Sequence, residues 1–198
     1  MIEDMFIEPR YHLHQRKGWI EVVCGSMFSG KTEELIRRVK RAEIAGQKVE
    51  IFKPSVDTRY HEVEVTSHNE NRIPSTPVTS PLNILLMVND ATVVGIDEAQ
   101  FFDESLVYVC EQLARKGIRV MVAGLDMDYL GKPFGPVPML MAVAEYVTKV
   151  HAICVNCGDL ATHSFRKVNN ASLIMLGEKD TYEARCRYCF QEGMSELA

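Results

Sequence analysis

Residues 25–32 read GSMFSGKT, a G-x-x-x-x-G-K-T pattern, and no other stretch limits the fold so strongly. The pattern holds phosphate only when a strand precedes it and a helix follows it. Gly25 and Gly30 let the backbone turn its N–H groups inward without Cβ clashes. Those amides, with the N-terminus of the next helix, form a seat for phosphate oxygens. Lys31 is then expected to reach the β- and γ-phosphates, and Thr32 to offer its hydroxyl to Mg²⁺. The whole loop forms the nucleotide seat: Gly25, Ser26, Met27, Phe28, Ser29, Gly30, Lys31 and Thr32.

The flanks suit that role. WIEVVCG (19–25) is apolar, β-branched and ends at glycine, as a buried strand does. Between Thr32 and Ala45, the apolar residues Leu35, Ile36, Val39 and Ala42 fall on one helical face. Arg37, Arg38, Lys40 and Arg41 lie largely away from it and read as a solvated face, and Gly46 is a plausible stop. A glycine-rich turn that matched by chance would need neither flank.

Strand and helix signals then alternate. KVEIFKP (48–54) is a second strand, LNILLMVN (82–89) a short helix and TVVGID (92–97) a third strand. Leu106, Val107, Cys110 and Leu113 mark the next helix. IRVMVAGLD (118–126) is a fourth strand, PMLMAVAEY (138–146) a helix and VTKVHAI (147–153) a fifth strand. This alternation predicts a parallel sheet with helices on both faces. Residues 54–81 are rich in Ser, Thr, Asn and Pro and read as a long loop, with room for a short β pair around Glu62–Ser67.

The third strand ends in Asp97 and Glu98. A carboxylate emerging at the carboxyl edge of a sheet stands beside a phosphate loop. Two adjacent acids divide the labour: Asp97 for the Mg²⁺ shell, Glu98 for accepting a proton. The bland reading of Glu98 is a solvated helix-cap acid, since adjacent acids are common.

After residue 153 the texture changes to cysteine pairs and polar residues, which puts a domain boundary near 150. Cys154-x-x-Cys157 and Cys186-x-x-Cys189 are two knuckles, and four thiolates fill a tetrahedral Zn²⁺ shell. Such a site is structural and contributes on the order of 10 kcal/mol of folding energy. Neither pair is expected to open a helix after a strand, which argues against a redox role. Cys24 and Cys110 sit in apolar contexts and read as core residues.

Taken in order, GSMFSGKT, DTRY (57–60), GIDEAQFF (95–102), KPFG (132–135), the paired knuckles and TYEARC (181–186) resemble the cytosolic-type, zinc-containing thymidine kinase family. The resemblance spans about Gly18 to Phe190. It implies a RecA-like P-loop domain (18–150) after a flexible tail (1–17), and a zinc-ribbon and lasso domain (151–198) closing over the nucleoside. It implies transfer of the γ-phosphoryl of ATP to the 5′-hydroxyl of thymidine, with Mg²⁺ beside the ATP. Glu98 resembles the general base, Arg59 the arginine that meets the phosphoryl group, and Asp57 a residue on the sugar side.

Met27, Leu125, Ser164 and Tyr182 match positions around the thymine ring. Phe101, Tyr129 and Phe134 match an aromatic wall, and Leu173 and Met175 the lasso stretch whose main chain reads the base. Three positions depart from the pattern: Ser164 for a common threonine, Phe165 for a polar or basic residue, and Tyr129 for phenylalanine. These bear on substrate range. The resemblance further implies a homotetramer and feedback by dTTP.

Bulk properties fit this reading and weigh against rivals. The 198 residues suffice for one core and a small appendage. A net charge of -5 disfavours a nucleic-acid-dependent ATPase with a zinc ribbon, whose work is gripping a polyanion. DYLG (128–131) offers the D-x-x-G of a GTPase switch, but TKVH (148–151) lacks the aspartate that reads guanine. No apolar run approaches a membrane span, and residues 1–17 lack the apolar region of a secretory signal. The expectation is a cytoplasmic protein with no membrane or nucleic-acid partner. His12 and His14 read as tail residues, and His61 and His68 as solvated. His151 and His163 lie near the zinc knuckles, whose cysteines already fill the shell.

Overall fold

The structure is a computed structural model and describes residues 17–55, 64–66, 72–167 and 181–196. In chain order its elements are β1 (Trp19–Cys24), α1 (Lys31–Ile44), β2 (Val49–Pro54), β3 (Glu64–Thr66), β4 (Arg72–Pro74) and β5 (Thr76–Val78). There follow α2 (Pro81–Met87), β6 (Val93–Ile96), a 3₁₀ turn (Ala99–Phe101), α3 (Ser105–Arg115), β7 (Arg119–Gly124), α4 (Val137–Val143) and β8 (Tyr146–Lys149). The last are β9 (Ala152–Ile153), β10 (Leu160–Ala161), β11 (His163–Arg166), β12 (Tyr182–Arg185) and α5 (Arg187–Glu196).

Six strands form one parallel sheet in the order β5-β2-β6-β7-β1-β8. Both faces are covered, as a parallel sheet requires. Ile20, Val22 and Cys24 of β1 point to the side of α3 and α4, joining Leu106, Leu113 and Leu140 in the larger apolar cluster. Val23 points the other way, to Leu35, Ile36 and Val39 of α1. This period-2 split along β1 is why its sequence is apolar almost throughout. The P-loop α/β class expected from the alternation is the one observed.

Gly46, at φ 73°, follows α1 in the left-handed conformation that ends helices. Ser80 caps α2: its hydroxyl accepts the Leu82 N–H at 3.4 Å, with Pro81 in the first turn.

Four expectations need correction. The 54–81 stretch is not only loop: Thr76–Val78 adds a sixth strand, parallel to β2. Three-residue edge strands carry too little alternation to stand out. Of the β pair expected around Glu62–Ser67, one strand lies there, at Glu64–Thr66, and its partner lies further on, at Arg72–Pro74. The fifth sheet strand ends at Lys149: the Val150 N–H makes the last bond to β1, donating to the Cys24 carbonyl at 2.8 Å, and the chain then leaves the sheet. Its second half, Ala152–Ile153, pairs with β10 instead. Tyr146 belongs to β8, not to the preceding helix.

The fourth correction concerns Arg38, which is 6% exposed and not part of a solvated face. It reaches under α1 to Glu21 of β1, fully buried, with NH1 to Oε2 at 2.9 Å. Its Nε meets Glu34 at 2.7 Å and its NH2 donates to Thr148 Oγ1 at 2.9 Å. Arg119 of β7 takes the other oxygen of Glu21 at 2.6 Å. Helical periodicity places Arg38 beside the apolar stripe; only the buried Glu21 draws it inward. Among the described residues no helix is long and apolar enough to cross a membrane.

Candidate active site

The sheet order puts the ends of β1 and β6 on the same edge, one strand apart. The phosphate loop follows β1 and Asp97 follows β6. Thr32 Oγ1 donates to Asp97 Oδ2 at 3.3 Å, so the two expected Mg²⁺ ligands already face each other. A hydroxyl and a carboxylate at this spacing suit a hard cation that keeps several waters.

The loop is tightly wound. A Cβ on Gly25, at φ 150°, would stand 2.2 Å from the Val150 carbonyl. Lys31 Nζ donates to the Ser26 carbonyl at 2.8 Å, and Ser29 Oγ donates to the same oxygen at 2.7 Å. Phe28 and Glu98 are the two non-glycine residues with positive φ among those described, at 63° and 50°. Such backbones cost on the order of 1–3 kcal/mol and persist where surroundings over-determine them. Both flank the cavity lined by Met27, Phe28, Gly30, Lys31, Thr32, Glu33, Glu98 and Leu125, about 420 Å³ including its open mouth.

A second cavity, about 400 Å³, is lined by Met27, Phe101, Leu125, Met127, Asp128, Tyr129, Phe134, Ser164, Arg166 and Tyr182. Met27 and Leu125 belong to both, so one thin wall separates them. Phe101 and Phe134 meet edge-to-face at 6.2 Å. Asp128 Oδ1 accepts the N–H groups of Leu130 and Lys132, both at 2.9 Å, and so folds the turn that carries Tyr129.

The strand pair β11 and β12 forms the opposite wall. Ser164 and Arg166 point into the cavity, while His163 and Phe165 point to Phe190 at 4.5 and 6.2 Å. Phe165 therefore packs inside the C-terminal lobe and does not line the cavity. Arg166 stands directly across from Tyr182 in register. Its guanidinium donates to the Tyr182 hydroxyl at 3.1 and 2.7 Å and lies 3.6 Å from the centre of the Tyr129 ring.

The same lobe supports the phosphate loop. The Met27 N–H donates to Ser164 Oγ at 2.9 Å, and Ser26 Oγ donates to the Ala161 carbonyl at 3.5 Å. Phe28 packs on the cluster of Ala152, Ala161, Ala184 and three of the knuckle cysteines. The Sγ atoms of Cys154, Cys157, Cys186 and Cys189 lie within 4.8 Å of one another. The Val155 N–H donates to the Ala184 carbonyl at 3.1 Å and fixes one knuckle to β12. Burial pushes the Cys154 thiol up, but backbone N–H groups of Cys186, Cys157 and Asn156 outweigh it and hold the thiol down at about 6. Contrary to expectation, Cys186-x-x-Cys189 does open a helix, α5, directly after β12; with all four sulfurs convergent, the set still suits a closed structural Zn²⁺ site.

Comparison with known proteins accords with this geometry. A family model described as "Thymidine kinase" matches residues 18–190. The chain is 58% identical over 192 residues to a thymidine kinase of Bacteroides fragilis, covering 97% of this chain and 96% of that protein. It is 63% identical over 174 residues to a thymidine kinase of a Rhodothermus species, covering 88% of this chain and 82% of that protein. A thymidine kinase of Porphyromonas gingivalis is 58% identical over 189 residues, covering 96% and 93%.

The chain belongs to the thymidine kinase family.

Within this thymidine kinase fold, the expected residues divide into three groups. Gly30, Lys31, Thr32, Met27, Phe28 and Glu98 gather at the phosphate cavity, with Asp97 bonded to Thr32. Phe101, Leu125, Tyr129, Phe134, Ser164 and Tyr182 gather at the second cavity, again with Met27. Arg59, Asp57, Leu173 and Met175 lie outside the described residues, as does the tail at 1–16.

Several residues of the site carried no role in the sequence reading: Glu33, Met127 and Asp128 line the cavities, and Arg166 and Gln100 bond to groups within the site. Alternation along SFR would have put Arg166 on the face of Ser164. Gln100 sits inside GIDEAQFF, but nothing in that string says where an amide side chain turns.

Proposed function

We propose that the chain transfers the γ-phosphoryl group of ATP to the 5′-hydroxyl of thymidine, giving dTMP. The carrying observation is the shared wall: the phosphate cavity and the aromatic cavity meet at Met27 and Leu125, and Glu98 lines the phosphate cavity beside them. A nucleoside whose base lies among Phe101, Tyr129, Phe134 and Tyr182 would bring its sugar to the Glu98 side.

Phosphoryl transfer is mostly positioning and charge stabilisation. The loop amides and Lys31 hold the donor. Thr32 and Asp97 would hold Mg²⁺, which neutralises charge on the β- and γ-oxygens when bound. Glu98 takes the proton of the 5′-hydroxyl as its oxygen attacks phosphorus and ADP leaves. Arg59 is assigned, by resemblance, to the charge on the passing phosphoryl group.

Base selection is assigned to main-chain groups of the 158–185 segment, around Leu173 and Met175. Thymine presents an N3–H donor and an O4 acceptor; cytosine reverses both. Sites built on such pairs reject the mismatch by roughly 10⁴-fold or more, whereas a methyl contributes only about 1–3 kcal/mol. Deoxyuridine should therefore be a poor substrate and deoxycytidine a rejected one.

The division into a nucleotide domain (18–150) and a zinc and lasso domain (151–198) belongs to this proposal, and the end of the sheet strand at Lys149, with Ala152–Ile153 pairing to β10, supports it. A homotetramer, feedback by dTTP and a cytoplasmic setting rest on the family resemblance. The test is a panel of deoxynucleosides with ATP–Mg²⁺, with zinc measured on the same sample at one per chain. Glu98→Gln should lower kcat by about 10²–10⁴-fold while thymidine still binds. Near-normal turnover would remove Glu98 from the chemistry, and deoxycytidine turned over as well as thymidine would end the base-reading account.

A further inference from the structure

Gln100 is 2% exposed and bridges two parts of the site. Its Nε2 donates to Glu98 Oε2, and its Oε1 accepts the Leu125 N–H at 2.9 Å. Chemistry dictates which way the amide faces. A backbone N–H can only donate, so the amide oxygen must meet Leu125 and the NH₂ group must meet the carboxylate.

The surroundings leave that side chain little freedom. A Cβ on Gly124 would stand 3.0 Å from Gln100 Oε1, and one on Gly135 would stand 2.5 Å from the Gln100 carbonyl oxygen. Glycine at both positions lets the backbone close around the amide. Glu98 itself is left-handed, with φ 50° and ψ 41°, and its N–H donates to Asp97 Oδ1 at 2.9 Å. Leu125, at the other end of the amide, belongs to the wall between the two cavities.

We propose that Gln100 is the positioning residue that registers the Glu98 carboxylate against the nucleoside seat, one amide spanning the base and the wall. The proposal rests on the reading of Glu98 as general base and extends it. Gln100 touches no reacting atom. It holds the acceptor oxygens where the 5′-hydroxyl proton departs, as the new oxygen–phosphorus bond forms and the bond to ADP breaks.

The test is a double-mutant cycle in the full chain, reading kcat, KM for ATP and thermal midpoint. Gln100→Met should lower kcat by roughly 10- to 100-fold, the cost of a misplaced catalytic group, with KM for ATP held within about twofold. In a Glu98→Gln background the same change should cost less than about twofold, because no carboxylate is left to position. A merely structural role would cost the same in both backgrounds.

Gln100→Glu keeps an acceptor for the Leu125 N–H and removes the donor to Glu98. It should also lose kcat at neutral pH, and it carries the test if the methionine variant does not fold. Wild-type kcat in folded Gln100→Glu, or equal losses in both backgrounds, overturns the proposal. A near-normal Glu98→Gln enzyme would instead overturn the general-base reading beneath it.

Discussion

Replacing Ser164 by alanine tests how the C-terminal lobe and the phosphate loop work as one unit. Ser164 is 4% exposed, and its Oγ accepts the Met27 N–H at 2.9 Å. Alanine leaves that amide without its acceptor. A buried donor stripped of its partner costs about 1–3 kcal/mol. Met27 is half-buried, so water recovers part of the loss, and about 1–1.5 kcal/mol remains. That corresponds to a roughly five- to twelvefold change in an equilibrium constant.

Because Met27 lines both cavities, the loss should appear in KM for ATP as well as in KM for thymidine. Ser164→Thr keeps the hydroxyl and should restore both. Steady-state kinetics with each substrate varied in turn, beside a thermal melt, reads the effect. If Ser164 only touches the thymine methyl, alanine will alter thymidine kinetics alone. An unchanged KM for ATP with an unchanged melting midpoint would refute the coupling.

Two further outcomes follow from buried charge. Arg38→Met strips Glu21 and Glu34 of a shared partner in the interior, but Glu21 keeps Arg119 and Glu34 keeps Arg37, so the cost is about 2–3 kcal/mol, below that of an uncompensated buried charge. At about 2–4 °C per kcal/mol for a chain of this size, calorimetry should record a drop of roughly 4–12 °C. A shift under about 2 °C would mean the network carries little stability. His163 is the second case: burial, with Arg187 and Lys149 adding, holds its imidazole below the ordinary 6.5. The unfolded chain then binds that proton first, so stability is full above 6.5 and declines as pH falls below it. His163→Gln should flatten the decline in melting temperature between about pH 7 and 5.5; an equal slope in both proteins would refute the assignment.

Much of this molecule is legible in one dimension. GSMFSGKT declares a strand before it, a helix after it and a phosphate seat between, because only that backbone aims the amides together. The knuckles at 154–157 and 186–189 declare a cluster able to hold a metal, since four thiolates at those spacings have one common chemistry. Alternating apolar runs declare a covered parallel sheet.

Other features had no local signal. Thr76–Val78 is too short to show a period, and it becomes a strand only because β2 offers a free edge. Arg38 reads as a surface cation until Glu21, 17 residues earlier in the chain, is seen beneath it. Phe165, a departure expected to bear on substrate range, is turned by strand alternation toward Phe190.

The sequence by itself determined which chemical groups exist: a loop of amides, a lysine, two adjacent acids and four thiols, all specified by residue type and spacing. Tertiary structure alone decided which of them meet. Met27 finds Ser164 137 positions away, and Gln100 finds Leu125 across 25. Such bonds depend on sheet order and on where the C-terminal lobe lands, quantities set by the sum of packing over the whole chain and written in no short stretch of it.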